Sequence, residues 1–190
     1  MKEFYHASVS GSLKQLDVIS KCNEKPCEKC AYVTDNYYYA LFYIRDMDIN
    51  IVTACVNDDG LPCYEEQFKN QLKVMYKNKA GFVYYCLDNN KFIKSETNGI
   101  YYSNQEIKFG RIEKISNVYA LLKKAIKENK IKLVKNKDVA KDRLDGLYNH
   151  IAKKIVDKNF YENNVKLQKF YKKHYKTAWK LAKNLIENKF

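Results

Sequence analysis

The first two thirds of the chain carry short apolar runs separated by turn residues, a pattern typical of β-strands. Runs rich in Val, Ile, Tyr and Phe predict strands near residues 3–7, 31–33, 49–56, 81–87 and 107–115. Residues 49–56 are apolar almost throughout, so we expect a strand buried on both faces. Residues 57–60, Asn-Asp-Asp-Gly, predict a tight turn because Asp-Gly accommodates a positive φ. Leu13, Leu16 and Ile19 have helical spacing and indicate a brief helix or an irregular turn.

Residues 31–43 form an aromatic stretch that changes from strand to helix. Thr34 or Asp35 can cap a helix, which should extend to about residue 46 or 47. Tyr32 then lies at the carboxyl end of a strand, beside a helix N-terminus whose free backbone N–H groups favour anions. A buried aromatic element without a ligand is the simpler interpretation of the same residues.

After residue 115 the apolar residues recur at the three- and four-residue spacing of a helix. Val118, Leu121, Leu122, Ala125 and Ile126 predict an amphipathic helix capped by Ser116 or Asn117. From residue 139 onward two further apolar stripes predict an antiparallel helical pair, formed by Leu144, Leu147, Tyr148, Ile151, Ala152, Ile155 and Val156 and by Leu167, Phe170, Tyr171, His174, Tyr175, Ala178, Ala182 and Leu185. The pattern predicts an α+β protein with a first domain at residues 1–135 and a helical extension at 136–190.

Charge is distributed unevenly along the 190 residues. Residues 1–113 contain 14 Lys and Arg against 15 Asp and Glu, whereas residues 114–190 contain 21 against 7, a net charge of +14. Such a basic segment attracts nucleic acid or an acidic protein, and it also keeps helices soluble. No apolar segment approaches membrane-spanning length and no secretory signal pattern is present, so we expect a cytoplasmic protein without a membrane partner.

Six cysteines without a secretory signal favour free thiols over disulfides. Cys22, Cys27 and Cys30 have C-x4-C-x2-C spacing, which is compatible with a zinc site and with a small zinc-stabilised adaptor. A fourth ligand has no obvious source, since no second C-x-x-C pair follows. We therefore favour free cysteines in a loop and predict no metal.

Two short motifs resemble those of ADP-ribosyltransferases. Residues 5–8, Tyr-His-Ala-Ser, resemble the Y-H-G-S/T strand of that superfamily, and residues 32–35 and 40–43 resemble the Y-A-T-D…A-x-x-Y element of its small bacterial or phage-like members. Residues 81–115 are similar to the last part of the family's split sheet, so the resemblance covers about residues 4–120. Ala7 stands where the motif has Gly, and its methyl group would crowd a nucleotide ribose.

The resemblance implies two split antiparallel β-sheets with an NAD-binding cleft and a His-Tyr-Glu triad. His6 would bind the adenosine ribose, Ser8 the nicotinamide amide region, and Tyr32 would stack on the nicotinamide, with Thr34 beside it. Glu106 would bind the hydroxyls of the nicotinamide ribose. The implied activity is mono-ADP-ribosylation of a macromolecule, with NAD as substrate. The sequence contains no P-loop, no dinucleotide glycine fingerprint and no G-x-S-x-G elbow, so no motif of this kind points to a different chemistry.

Each of these residues also has a purely structural interpretation. His6 can be an ordinary polar residue at the end of a strand. Tyr32 is one of 17 tyrosines and can serve only in packing, and Glu106 can be a solvated carboxylate with Glu96 and Glu113 nearby. The alternative function is therefore an inactive binding module that uses its basic C-terminal helices on nucleic acid or an acidic protein. In that case Phe170, Tyr171, Tyr175 and Trp179 would be available to stack on bases, unless they belong to the core.

Overall fold

The structure is a computed structural model that describes residues 2–21, 29–45, 52–87, 92–158 and 164–187. It is a mixed α+β protein with a large antiparallel sheet and C-terminal helices. The chain divides into two compact units, one within Met1–Asp46, Thr53–Tyr64 and Leu72–Leu133, and one within Met47–Val52, Glu65–Gln71 and Val134–Phe190. The division at residue 135 stays a prediction.

The strands are short and the longer helices lie towards the C-terminus. In chain order the strands are β1 (Phe4–Ser8), β2 (Gln15–Leu16), β3 (Ser20–Lys21), β4 (Lys29–Thr34), β5 (Thr53–Val56), β6 (Pro62–Glu65), β7 (Gly81–Cys86), β8 (Ile93–Lys94), β9 (Ile100–Ser103), β10 (Ile107–Ile115) and β11 (Lys132–Val134). The helices are α1 (Tyr37–Ala40), α2 (Gln71–Tyr76), α3 (Val118–Lys127), α4 (Lys141–Asp157), α5 (Val165–His174) and α6 (Lys176–Glu187), with 3-10 turns at Leu41–Tyr43 and Asn136–Asp138.

The large sheet has the strand order β2-β10-β7-β1-β4-β9-β8, with β3 beside β4, and its pairs are antiparallel. A second sheet has the order β11-β6-β5. Five register pairs join β1 to β7, from Phe4 opposite Cys86 to Ser8 opposite Phe82. By contrast, one recorded pair joins β1 to β4, Tyr5 opposite Thr34. The sheet is therefore weakly joined at this point and consists of two halves, β2-β10-β7-β1 and β4-β9-β8.

The connection from β9 to β10 shows that these halves are not coplanar. Only residues 104–106 link Ser103 to Ile107, yet three strands lie between β9 and β10 in the sheet order. In a flat sheet the four inter-strand steps would separate them by about 19 Å. Four extended residues span at most about 14 Å. The two halves must therefore fold towards each other where this connection runs.

Apolar side chains fill the space between the halves near the start of β1. Val33 of β4 and Phe4 of β1 belong to one buried cluster, and the Phe4 ring lies 4.9 Å from that of Tyr101 on β9, between ring centroids. The other members come from both halves or pack at their edges: Ala31, Cys86, Ile107, Leu16, Phe92 and Phe109. The cluster therefore holds the folded sheet closed at this level.

Several predicted elements are confirmed. Strands occupy Phe4–Ser8, Gly81–Cys86 and Ile107–Ile115, and Gly60 has the positive φ (80°) of the predicted turn. Helix α3 begins after Asn117, whose Oδ1 accepts a hydrogen bond from the Ala120 N–H at 2.9 Å, as a capping residue does.

Other predictions are wrong for identifiable reasons. Of the two alternatives for residues 13–19, the helix does not form, because Gln15 and Leu16 pair with β10 as β2; the remaining residues are irregular, with bends at 14 and 18. Strand β5 is not buried on both faces, since it is the edge strand of its sheet and Cys55 is exposed. The helix after Thr34 ends at Ala40 and continues only as the 3-10 turn to Tyr43, while residues 46 and 47 lie outside the described residues.

Within the described residues, the second unit contains the three helices α4, α5 and α6, whereas the two apolar stripes predicted a pair. Tyr175, with φ −122° and ψ 51°, interrupts the second stripe between α5 and α6. The unit's core contains Phe68, Ile151, Ala152, Ile155, Leu167, Tyr171, Tyr175, Ala178 and Ala182. Among the described helices, none has the length and apolar content that crossing a bilayer requires.

Candidate functional site

His6 lies on β1 next to the weak junction with β4. Its Nδ1 is 3.4 Å from the main-chain oxygen of Tyr32, and because a carbonyl can only accept, this contact requires a proton on Nδ1. Burial lowers the pKa of the His6 imidazole, and the Tyr32 carbonyl partly offsets that effect. The ring is therefore neutral near pH 7 and leaves Nε2 as an acceptor.

Tyr32 approaches His6 through its backbone, and its side chain belongs to the other face of the strand. Successive residues of a strand point to opposite faces. Ala31 and Val33 join the cluster that contains Phe4, the neighbour of His6 on the same face of β1. The half-buried Tyr32 ring instead packs with Cys30 and with Tyr102, 6.5 Å away between ring centroids. The junction thus brings His6 to the Tyr32 carbonyl without stacking the two rings.

Thr34 and Ser8 both make local hydrogen bonds. The buried Thr34 hydroxyl accepts from the Asn36 N–H at 3.1 Å, and Asn36 Oδ1 in turn accepts from the Tyr39 N–H at 3.0 Å. Asn36, not Thr34 or Asp35, is therefore the cap of α1. The Ser8 hydroxyl is half-buried and accepts from the Ser10 N–H at 3.1 Å.

Glu106 lies in the three-residue connection that crosses from one half of the sheet to the other. Its side chain is exposed, and within the described residues it makes no hydrogen bond or ion pair. The preceding turn is fixed by the Ser103 hydroxyl, which accepts from the Gln105 N–H at 3.0 Å. The structure thus brings His6 and Tyr32 into contact, and places Glu106 where the two halves are linked, with no bond to either residue.

Glu113 on β10 is a carboxylate that the sequence identified only as a neighbour of Glu106. Its two oxygens accept hydrogen bonds from the hydroxyls of Tyr37, at 3.0 Å, and Tyr85, at 2.8 Å. Burial, followed by the Glu113 charge, raises the pKa of Tyr37. The Arg111 guanidinium lies 3.6 Å from the Tyr85 ring centroid. The alternation of Arg111 and Glu113 along β10 was the available sequence signal for this cluster.

A surface cavity of about 500 Å³ lies at the β-bulge of β10, away from the predicted triad. Lys2, Tyr85 and Arg111 contribute to its lining, and His6, Tyr32 and Glu106 do not. Lys2 itself is held by an ion pair with Asp35 at 2.7 Å.

The zinc hypothesis concerns residues that are only partly described. Cys22 and Cys27 lie outside the described residues, and Cys30 is buried in β4. Among the residues that the structure describes, no group of three or more His, Cys, Asp or Glu side chains is arranged to hold a metal ion.

The candidate site is therefore defined by the β1 and β4 junction, with Glu106 on the connection that links the halves. Comparison of the chain with protein-family models, with curated proteins and with solved structures returns no match.

Proposed function

We propose that this protein is an NAD-dependent mono-ADP-ribosyltransferase of the His-Tyr-Glu type, with an ADP-ribosyltransferase-like fold. One observation carries the proposal: the two motifs that resemble that superfamily lie on neighbouring strands. Tyr5 is opposite Thr34, and His6 Nδ1 contacts the Tyr32 oxygen at 3.4 Å. Motifs that were matched separately in the sequence are thus adjacent at the weakest junction of the sheet, and NAD binding there requires the apolar cluster between the two halves to open.

The proposed reaction breaks the bond between the nicotinamide nitrogen and C1′ of its ribose. Nicotinamide leaves with the bonding electrons, positive charge develops on the ribose, and a nucleophile of the acceptor, or water, forms the new bond to C1′ and loses its proton. A carboxylate beside the developing cation stabilises it, as in glycoside cleavage. We assign this part to Glu106, which is exposed and bears no competing hydrogen bond among the described residues.

The other residues bind and orient NAD in this proposal. His6 Nε2 accepts a hydrogen bond from a hydroxyl of the adenosine ribose, since Nδ1 is occupied by the Tyr32 carbonyl. The Tyr32 ring lies on the other face of β4 from His6. Its role of stacking on the cationic nicotinamide therefore requires the ring to leave its packing with Tyr102 when NAD binds. Ser8 contacts the carboxamide, and the buried Thr34 hydroxyl supports the Asn36 cap.

The acceptor in this proposal is a macromolecule of unassigned class. Asn104 stands two residues before Glu106, at the position where arginine-modifying members of the superfamily carry Glu. An amide has no negative charge to hold a guanidinium, so arginine is disfavoured as the acceptor side chain.

Thermal unfolding with and without NAD tests the proposed binding. A ligand that binds only the folded state at ten times its Kd adds about 1.4 kcal/mol of stability, which is about 3–5 °C for a chain of this size. We expect NAD to raise the midpoint by that amount in the wild type and by much less in Tyr32→Leu. The matched control is Tyr119→Leu, a half-buried tyrosine on α3, which should keep the full shift. No shift in the wild type, or an undiminished shift in Tyr32→Leu, would contradict the proposal.

A further inference from the structure

The last two helices carry strongly one-sided charge. Residues 164–187 contain seven Lys and one acidic residue, Glu187, with no Arg or Asp. The one ion pair recorded for the described lysines of α6 joins Lys183 to Glu187 at 3.5 Å, with both side chains 60% exposed. Exposed pairs of this kind contribute little to stability. By count, seven Lys against one Glu give residues 164–187 a formal charge of +6.

The lysines of α6 form one narrow stripe on its exposed face. At 3.6 residues per turn, Lys176, Lys180 and Lys183 lie within about 60° of each other around the helix. All three are exposed, whereas Ala178 and Ala182, on the opposite side, are fully buried. The stripe extends over about 10 Å of helix, which is about the axial distance from the first to the fourth of four successive phosphates on one strand of a duplex.

Helix α5 has the same arrangement. Lys169, Lys172 and Lys173 are exposed, while Leu167 and Tyr171 on the other side are buried. Both helices therefore bury their apolar faces in their own unit and carry lysines on the exposed side. We call the exposed faces of α5 and α6, with these six lysines, the lysine surface.

The aromatic residues of these helices are buried or partly buried, and the Lys172 ammonium lies 5.0 Å from the Trp179 ring centroid. Tyr171 and Tyr175 are 0% and 1% exposed, and Phe170 and Trp179 pack against the same core. Base stacking on aromatic rings is how single strands are usually held. Lysines without stacking partners favour contacts to phosphate, which carry no sequence information.

Two other polyanionic partners fit the lysine surface less well. Membrane insertion needs an exposed apolar face, and here the large exposed apolar residues of α5 and α6 are the isolated Val165 and Leu185. Protein interfaces are depleted in lysine and depend on buried aromatic or arginine anchors, which this surface lacks.

We propose that the lysine surface of α5 and α6 binds the phosphate backbone of duplex nucleic acid without sequence preference. Its lysines are point charges that release condensed counterions as they contact phosphates. None of the residues assigned to NAD belongs to this surface, so binding to a duplex can be measured independently of any turnover.

Fluorescence anisotropy with a random-sequence 24-base-pair duplex between 50 and 200 mM salt tests the proposal. Each lost phosphate contact flattens the slope of log K against log salt by about 0.9. The variant Lys176→Gln/Lys180→Gln/Lys183→Gln should therefore flatten it by about 2.7 and weaken binding at least tenfold at 100 mM salt. Gln has nearly the helix propensity of Lys, so the helices should be retained, which circular dichroism can check.

The control removes the same charge from exposed lysines of α3, in Lys123→Gln/Lys124→Gln/Lys127→Gln. It should bind within twofold of the wild type. Equal weakening by the two triple variants would show a non-specific effect of net charge and overturn the proposal. So would absence of duplex binding, preference for a single strand of the same length, or binding to anionic phosphatidylserine vesicles in place of the duplex.

Discussion

Gly81→Ala is expected to be the most destabilising of the substitutions considered, by about 3 kcal/mol. A Cβ atom at Gly81 would lie 2.6 Å from the backbone oxygen of Ser8 and in still closer contact with the Ile44 side chain. The Ser8 oxygen belongs to β1, which is fixed by five register pairs to β7, so it cannot move without disturbing the strand. Urea denaturation should show a lower midpoint with an unchanged slope.

Gly146→Ala is the matched control, because a Cβ atom there meets nothing within 4 Å. Gly146 lies inside α4, where Ala is favoured over Gly by about 0.5–1 kcal/mol. The same Gly to Ala change should therefore raise stability at one position and lower it at the other. A change within 0.5 kcal/mol for Gly81→Ala would show that β1 and β7 are not packed as described.

Glu106→Gln is expected to lower the hydrolysis of NAD at least 100-fold. The substitution keeps the size of the side chain and removes the charge that would stabilise the cationic ribose, an effect comparable with loss of an electrostatic group in other active sites, about 2.7–4 kcal/mol. Glu106 is exposed and has no bond to lose within the described residues, so the fold should be unaffected. Release of nicotinamide, followed by chromatography, measures the effect.

Glu96→Gln supplies the control. Glu96 is also exposed and lies in the connection between β8 and β9, which stays within one half of the sheet. We expect its variant to retain at least half of the wild-type rate. Equal loss in both variants, full activity of Glu106→Gln, or no turnover by the wild type would remove Glu106 from the catalytic site.

The elements that the sequence predicted well are those with a strong local pattern of apolar residues. The run at Gly81–Cys86 and the alternation at Ile107–Ile115 became β7 and β10, and the three and four spacing after Asn117 became α3. In each case local propensity and the position of the core agree, which is why a pattern in the sequence sufficed.

Elements whose ends depend on distant contacts were predicted poorly. Tyr175 leaves the helical conformation between α5 and α6, and its hydroxyl donates to Gln67 Oε1 at 2.6 Å, more than a hundred residues away. The two-residue strands β2 and β8 exist only because β10 and β9 offer partners. No local signal in the sequence contains that information.

The candidate site was predicted in part from local sequence and depends in part on distant contacts. The resemblance identified His6 and Tyr32, but the contact between them depends on the pairing of β1 with β4, which apolar periodicity does not specify. Because successive side chains of a strand point to opposite faces, the Tyr32 ring also faces away from His6 and towards Tyr102. Glu113 went unassigned because its partners, Tyr37 and Tyr85, come from α1 and β7.

Amide hydrogen exchange with and without NAD tests most directly whether the cleft lies at the junction of β1 and β4. A ligand held there should slow exchange in the peptides that contain Phe4–Ser8 and Lys29–Thr34. Exchange in α4 to α6 should be unchanged. Protection confined to these two strands and the 104–106 connection is the predicted result. Saturating NAD that leaves both strands unprotected, or that protects only the C-terminal helices, would contradict the account.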